Sequence, residues 1–239
     1  MRVLIGCEFS GTVRDAFRAR GHDAWSCDLL PTERPGPHLQ GDALQAIRSR
    51  EWDLLVVHPP CTYLTVSASW AFTDGPYHQR VKPGTLVGAA RRAARADAIA
   101  FARALLDCDI PRVALENPVG ALSSAIRKPD QIIHPYQFGH DASKATCLWL
   151  KGLPPLPLSP AQFVAPRIVC RKCGAPGTGK GCGECGADAG SMLPRWANQT
   201  DSGQNRLSPS IDRWAKRSIT FPGIADAMAA TWGALKGTP

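Results

Sequence analysis

A stiff turn that ends in a cysteine is the first feature of the sequence that could do chemistry. In Pro59-Pro60-Cys61-Thr62, two prolines follow an apolar run, so the backbone that carries the cysteine has little freedom. A thiolate is the strongest nucleophile that an unassisted side chain offers near neutral pH, so Cys61 could form a bond to an electrophilic carbon. The same cysteine could instead be a buried structural residue, which is common.

A second polar group follows another apolar run, in Glu116-Asn117-Pro118. Attack of a thiolate on a base such as cytosine puts electron density into the ring, and a group that protonates or hydrogen-bonds a ring nitrogen stabilises that density. A partly buried glutamic acid could do this, and we expect burial to raise the pKa of Glu116. The alternative is a glutamate that caps a loop or pairs with an arginine.

Three acidic or glycine-containing positions near the N-terminus could hold a nucleoside cofactor. The turn Glu8-Phe9-Ser10-Gly11 would let a ligand approach the first amides of the helix that follows, or would simply connect a strand to a helix. Asp28, at the end of a second predicted strand, could accept hydrogen bonds from ribose hydroxyls, or be an ordinary loop aspartate. Asp42 could meet an adenine amino group, cap a helix, or do both.

The four cysteines of Cys170-x2-Cys173-x8-Cys182-x2-Cys185 have the spacing of a zinc ribbon. The total of nine cysteines is odd, which favours thiols and a metal over a disulfide framework. The segment is too short to form a core, so the metal would supply its folding energy. Its basic residues could contact phosphates, or the ribbon could be a structural clip.

Apolar runs that alternate with helix-like segments must position these groups. Strands are predicted at residues 2–5, 22–27, 53–57, 111–115 and 145–150, and helices at residues 12–20, 42–50, 86–107 and 223–235. The alternation predicts an α/β fold with a doubly wound, mostly parallel sheet, whose ligands bind at the carboxyl ends of the strands. We expect the arginines of the long helix to be solvated, namely Arg91, Arg92, Arg95 and Arg103.

Three parts of the chain follow from these patterns. Residues 1–151 would form the catalytic core, residues 152–193 a proline-rich linker with the zinc-ribbon insert, and residues 194–239 a segment that completes the core. The last part contains basic and aromatic residues that could grip a nucleic acid, or form a solvated face around core tryptophans. They are Arg195, Trp196, Arg206, Arg213, Trp214, Lys216 and Arg217.

The composition is that of an ordinary globular protein with a basic surface. The hydrophobic content is 44%, the formal net charge is +8 and the isoelectric point is about 9.2. A positive surface suits a polyanionic partner. No run approaches the roughly 20 apolar residues of a membrane span, and no secretory signal is present, so we expect a cytoplasmic protein with no membrane partner.

In their order along the chain, these stretches resemble the DNA cytosine-5 methyltransferase family. Phe9-Ser10-Gly11 is similar to the family's cofactor turn, Pro60-Cys61 to its nucleophile motif and Glu116-Asn117 to its glutamate motif, within residues 1–150. Residues 58–65 and 195–200 resemble stretches of compact members from phages and prophages. Pro118 stands where the family usually has valine, and Lys144 takes the place of an arginine near the cytosine O2.

The resemblance implies a Rossmann-like fold that uses S-adenosylmethionine and acts, as a monomer, on a cytosine flipped out of double-stranded DNA. Cys61 would add to carbon 6, Glu116 would hold N3, and carbon 5 would receive the methyl group, with Lys144 beside the base. The residues that the resemblance assigns to the cofactor pocket are Phe9, Ser10, Gly11, Asp28, Asp42 and Pro59.

Other functions stay open at this point. A methyltransferase that acts on an exocyclic amine usually begins the proline motif with Asp or Asn and ends it with an aromatic residue, where this chain has His58 and Cys61. The fold could also serve as a non-catalytic DNA-binding module. A further alternative keeps the Cys61 chemistry but transfers another one-carbon group, or acts on RNA or a nucleotide.

Overall fold

A seven-stranded mixed sheet forms the centre of the computed structural model, which describes residues 1–66, 68–78, 80–178 and 180–235. The strand order is β3-β2-β1-β4-β5-β7-β6, and only β7 runs antiparallel to its neighbours. This confirms the predicted α/β class with a mostly parallel sheet. The strands are β1 (Arg2–Gly6), β2 (Asp23–Asp28), β3 (His38–Gln40), β4 (Leu54–Val57), β5 (Val113–Pro118), β6 (Gln131–Ile133) and β7 (Thr146–Lys151).

Helices cover both faces of this sheet. Because successive side chains of a strand point to opposite faces, Val3 packs in one apolar cluster with Phe17 and Trp232, whereas Leu4 packs in another with Leu105. The helices are α1 (Thr12–Arg18), α2 (Ala43–Arg48), α3 (Gly88–Leu106), α4 (Leu122–Ala125), α5 (Arg213–Ser218) and α6 (Pro222–Gly233). Within the described ranges, none of these helices is long and apolar enough to cross a membrane.

The observed elements differ from the predicted ones mainly where an element is short. The strands β3 and β6 and the helices α4 and α5 carry too few residues for a clear periodic pattern. A separate antiparallel pair, β8 (Arg167–Cys170) and β9 (Met192–Arg195), brackets the cysteine cluster. The strand β5 continues through Pro118, so Glu116 and Asn117 lie in the last part of the strand and not beyond its end.

The prediction that the arginines of the long helix are solvated is wrong for two of them. Arg91 is 6% exposed and its guanidinium lies over the rings of Tyr63 and Phe72. The Arg95 guanidinium lies 3.3 Å from the centre of the Phe72 ring. A planar guanidinium can stack on an aromatic ring, so these side chains are held inward while Arg92 and Arg103 remain exposed.

Candidate functional site

The sheet brings the chemistry-bearing stretches to one edge. The carboxyl ends of parallel strands meet at the same edge, and β2, β1, β4 and β5 are consecutive neighbours. Chain order reverses direction between β1 and β4, which is the switch point where ligands bind in open α/β sheets. The turn after β1 and the stretch His58–Cys61 after β4 flank this point, with Asp28 and Glu116 on either side.

A buried glutamate closes the start of α1. Glu8 is 5% exposed, and its carboxylate accepts hydrogen bonds from the backbone amides of Val13 (2.6 Å) and Arg14 (3.2 Å). The Ser10 hydroxyl donates to the same carboxylate at 3.3 Å. Because these helix amides are already satisfied by a carboxylate, this turn is unsuited to a phosphate group. No local pattern indicates this role of Glu8, because only the fold turns its side chain back onto the helix.

A fully buried arginine fixes the backbone on the far side of this turn. Arg14 donates to the Ser26 hydroxyl and to the carbonyl oxygens of Arg34 and Pro35. Gly11 begins α1 with a φ of 71°, and a Cβ there would lie 2.5 Å from the Arg14 Nη2. Glycine is therefore required at this position for both its conformation and its size. The turn between β1 and α1 is therefore held by Glu8 on one side and by Arg14 on the other.

Two of the predicted cofactor residues, Asp28 and Asp42, lie near the turn after β1. Asp28 ends β2, whose Cys27 pairs with Gly6 of β1, and the backbone amide of Gly41, the residue before Asp42, donates to the Asp28 carbonyl at 2.8 Å. Asp42 also caps α2, where its Oδ1 accepts from the Leu44 amide at 2.7 Å. The predicted capping role of Asp42 is confirmed, and its contact with a ligand stays a prediction.

The cysteine loop is exposed at its tip and anchored behind it. Cys61 is exposed, whereas Pro59 is buried. The Cys61 carbonyl accepts from the amide of Leu64 at 3.0 Å, which closes a turn. Behind that turn, Arg91 donates to the Thr62 carbonyl and Arg95 to the Tyr63 carbonyl. The inward arginines of α3 therefore hold the loop that presents the thiol.

The cysteine loop and the end of β5 are joined to each other. The side-chain amide of Asn117 donates to the Pro59 carbonyl at 2.8 Å. The backbone amide of Ala121 donates to the Leu64 carbonyl at 2.7 Å. A Cβ at Gly120 would lie 2.0 Å from the Leu64 carbonyl oxygen, so no side chain fits between the two segments. The loop that carries Cys61 and the strand that carries Glu116 form one structural unit.

The environment of Glu116 contradicts one expectation. Glu116 is 9% exposed, and its Oε2 lies 2.8 Å from the Nδ1 of His58. Burial by itself raises the pKa of Glu116, but the positive charge of Lys144 and the contact with His58 lower it below its usual value. The predicted rise in the pKa of Glu116 is therefore wrong, and the carboxyl group is ionised at neutral pH.

Lys144 approaches Glu116 from the loop before β7. Its ammonium donates to the Arg217 carbonyl at 3.2 Å, and a small cavity is lined by Lys144, Glu116 and Thr220. The stretch 195–200 holds this loop. The Asn198 side chain accepts from the Ser143 amide and donates to the Ser143 carbonyl, both at 2.9 Å. Asn198 thus acts as a clamp on the residue before Lys144.

Loss of this clamp is expected to destabilise the protein in two steps. Asn198→Asp keeps the acceptor but removes the donor, and Asn198→Ala removes both, leaving the backbone groups of Ser143 unpaired. An unpaired part-buried polar group costs about 1–3 kcal/mol, which corresponds to a fall of roughly 2–4 °C per kcal/mol for a chain of this size. The midpoint of thermal unfolding should be highest for wild type, lower for Asn198→Asp and lowest for Asn198→Ala. Equal midpoints for all three proteins would contradict the clamp.

The two tryptophans of the C-terminal part have different environments. Trp196 stacks on Tyr136, with ring centroids 4.3 Å apart, and its indole donates to the Val164 carbonyl. Trp214 is 58% exposed and lies against Phe9, with ring centroids 5.8 Å apart. Trp196 is therefore a packed structural tryptophan, whereas Trp214 lies on the basic helix α5 beside the turn between β1 and α1.

The four cysteines converge as their spacing predicts. The sulfur atoms of Cys170, Cys173, Cys182 and Cys185 all lie within 4.8 Å of one another. Four thiolates bound at about 2.3 Å in a tetrahedron stand about 3.8 Å apart. The distances from Cys170 to Cys185, 3.6 Å, and from Cys173 to Cys182, 3.5 Å, are close to this value. The cluster could therefore hold a zinc ion.

The cysteines lie on two turns with the same backbone pattern. The amide of Gly174 donates to the Cys170 carbonyl, and the amide of Gly186 donates to the Cys182 carbonyl. Both glycines have positive φ, at 77° and 66°, as each Cys-x-x-Cys-Gly turn requires. The backbone amide of Cys173 lowers the pKa of Cys170 to about 6, whereas the neighbouring sulfurs raise the pKa of Cys173 to about 12 and also raise that of Cys185. Without a bound cation, the close packing of the four sulfurs therefore favours only one thiolate.

Comparisons with known proteins add little to this picture. No protein-family profile matches the sequence, and no curated protein matches it. One solved structure that aligns is described as a candidate DNA modification methyltransferase encoded within a prophage, from E. coli. The identity is 11% and the TM-score 0.36, over 62% of this chain and 45% of that chain. The match spans less than half of that protein, so the fold rests on the observed strand order and any function on the site.

Proposed function

We propose that this chain is an S-adenosylmethionine-dependent DNA cytosine-5 methyltransferase. The observation that carries the proposal is that the structure joins the two groups that this reaction needs, a cysteine nucleophile and a carboxyl group. An exposed cysteine lies on a stiff loop, and that loop is hydrogen-bonded through Asn117 to the strand that holds Glu116. The pairing of a nucleophile with a carboxyl group at neighbouring strand ends supports covalent chemistry on a base.

The cofactor end of the site fits a nucleoside without phosphates. Glu8 occupies the first amides of α1, which disfavours a dinucleotide or a nucleotide phosphate. The nearby Asp28 and Asp42 offer carboxylates suited to ribose hydroxyls and to an amino group. Phe9 is 8% exposed and offers an apolar surface in the same turn. When bound there, S-adenosylmethionine would supply the methyl group.

The residues of this chain would act on the base as follows. The Cys61 thiolate adds to carbon 6 of the flipped cytosine, and the pair of electrons of the 5,6 double bond moves toward carbon 5 and the N3–C4 part of the ring. Glu116 holds that side of the base, and its ionised carboxylate can accept a hydrogen bond from the exocyclic amino group. Lys144 lies next to Glu116 and offsets negative charge that develops on the ring.

The final step restores the ring. After carbon 5 is substituted, loss of its proton reforms the double bond, and Cys61 leaves as the thiolate. The prolines before Cys61 keep the sulfur at the sheet edge through both steps, because they remove backbone freedom. The formal net charge of +8 favours a polyanionic substrate such as DNA.

Trapping on DNA that contains 5-fluorocytosine tests the proposal. Fluorine cannot leave carbon 5 as a proton does, so the adduct with Cys61 should persist through denaturation and require S-adenosylmethionine. Cys61→Ser should form no adduct, and Cys108→Ser, which changes a cysteine elsewhere on the chain, should form as much as wild type.

Other outcomes would move the assignment. Methyl transfer to DNA without an adduct would identify an exocyclic amino-methyltransferase and overturn the carbon-5 proposal. DNA binding without either signal would favour a binding module. An adduct only on RNA or on a free nucleotide would retain the Cys61 chemistry and replace the substrate.

A further inference from the structure

His58 lies at the end of β4, and its ring faces Glu116 on the neighbouring strand β5. It is the first residue after β4, and its side chain is 9% exposed. Its backbone amide donates to the Gly6 carbonyl at 3.0 Å, so the residue is fixed against β1 as well. The ring is therefore held by the sheet on one side and directed at β5 on the other.

The ring contacts one oxygen of Glu116 and not the carboxyl group as a whole. Nδ1 lies 2.8 Å from Oε2. An ionised carboxylate can only accept, so the proton of this hydrogen bond is on Nδ1. The contact occupies Oε2, which leaves Oε1 as the oxygen that Glu116 can offer to a base. A single fixed oxygen sets the plane and the rotation of the carboxylate.

The other ring nitrogen is buried and unused by the rest of the described chain. Nε2 of His58 has no hydrogen-bond partner among the residues that the structure describes. Among those residues, the contact of Nδ1 with Glu116 is therefore the hydrogen bond that orients the imidazole ring.

Charged groups surround the pair on each neighbouring element. Glu8, on the turn after β1, is close enough to His58 for the histidine to influence its pKa, although burial is the larger effect and raises that pKa. Glu116 faces the ring from β5, and Lys144 reaches Glu116 from the segment before β7. His58 on β4 and Lys144 before β7 therefore approach Glu116 from two different elements.

We propose that His58 is the positioning residue that orients Glu116 toward the target base. The inference rests on the proposed function and adds a residue that the resemblance to cytosine-5 methyltransferases did not assign. His58 acts through Glu116: it fixes one carboxylate oxygen and directs the other into the site. Because the Asn117 side chain also donates to the Pro59 carbonyl, the segment that carries His58 and Cys61 is joined to the end of β5 by two contacts.

The test compares His58→Ala with His58→Asn, and uses His22→Asn as the matched control. Asparagine can place an amide donor near the position of Nδ1, whereas alanine cannot; His22 lies beside Met1, away from the site. We expect His58→Ala to lower kcat for methyl transfer about 100-fold, the size of effect that misplacement of a reacting group causes, with KM for DNA nearly unchanged. His58→Asn should recover most of this loss, and His22→Asn should match wild type.

A second readout does not depend on turnover. Carbon-13 NMR of glutamate-labelled protein follows the titration of the Glu116 carboxyl group, which is assigned by its absence in Glu116→Gln. Since His58 helps to lower the pKa of Glu116, that pKa should rise in His58→Asn and rise further in His58→Ala. The acidic limb of the rate profile should move to higher pH in the same order.

The two readouts separate the failure of this inference from failure of the proposed function. An unchanged kcat in a folded His58→Ala protein, or an unchanged titration of Glu116, would overturn the positioning role. Equal losses in His58→Asn and His58→Ala would also overturn it, because a donor at the Nδ1 position would then be irrelevant. If wild type forms no adduct with cytosine, the proposed function falls, and the titration still decides whether His58 controls Glu116.

Discussion

Glu116→Gln is expected to lower the rate of adduct formation and methyl transfer by about 10²–10³-fold, the range found when one stabilising group is removed from an active site. Glutamine has nearly the same shape, but it carries no charge and presents an amide in place of one oxygen. The charge interaction with Lys144 is therefore lost, and the one remaining oxygen can accept a hydrogen bond from His58 or from the base but cannot replace both carboxylate oxygens. Single-turnover methyl transfer to DNA measures the effect.

The matched control is Glu33→Gln, which neutralises an exposed glutamate. It should retain the wild-type rate. A tenfold loss of rate corresponds to only about 1.4 kcal/mol of transition-state stabilisation. A Glu116→Gln rate within about twofold of wild type would therefore mean that Glu116 does not hold the base.

The pH dependence of stability gives an independent check on Glu116. Its pKa is lowered in the folded protein, so the charged contacts contribute stability above about pH 4.3, the usual pKa of an unfolded glutamate. That contribution is lost as the pH falls through the lowered value. Thermal midpoints measured from pH 6 downward should therefore fall more steeply for wild type than for Glu116→Gln. Parallel curves would show that the ionised carboxylate is not stabilised by its neighbours.

Removal of the metal is expected to unfold the cysteine insert, residues 167–195, while the core remains folded. The buried apolar cluster of the insert consists of Cys170, Cys182 and Ala187, so two of its three members are also candidate metal ligands. Without a metal, the segment has no core of its own, and structural zinc supplies about 10–16 kcal/mol in small zinc-binding peptides. Limited proteolysis after chelation should cut within the insert and leave the core resistant.

Elemental analysis completes this test. Purified wild type and Cys108→Ser should contain one zinc ion per chain, and Cys182→Ser should contain far less. Because Trp196 follows β9 and stacks on Tyr136, a change in tryptophan fluorescence should accompany chelation. Metal-free wild-type protein with a protease-resistant insert would contradict the role of the four cysteines.

Several features of the site were predictable because they depend on nearby residues alone. The stiff mount of Cys61 follows from the two prolines before it, and the capping role of Asp42 from its place at the start of a helix. The convergence of the cysteines follows from the spacing within each Cys-x-x-Cys-Gly turn. The alternation of apolar runs and helices likewise indicated a parallel sheet, whose geometry gathers strand ends at one edge.

Other features depend on residues that are distant in the chain, and no local pattern could indicate them. Lys144 and His58 decide that Glu116 is ionised, although burial alone would favour the neutral acid. The inward turn of Arg91 and Arg95 depends on aromatic rings and carbonyl groups of the cysteine loop. An amphipathic pattern indicates which positions of a helix or strand face the core. A pKa or a stacking contact depends instead on which distant residues the fold brings next to a side chain. Sequence therefore determined the groups that could react, and tertiary structure decided their charge and orientation.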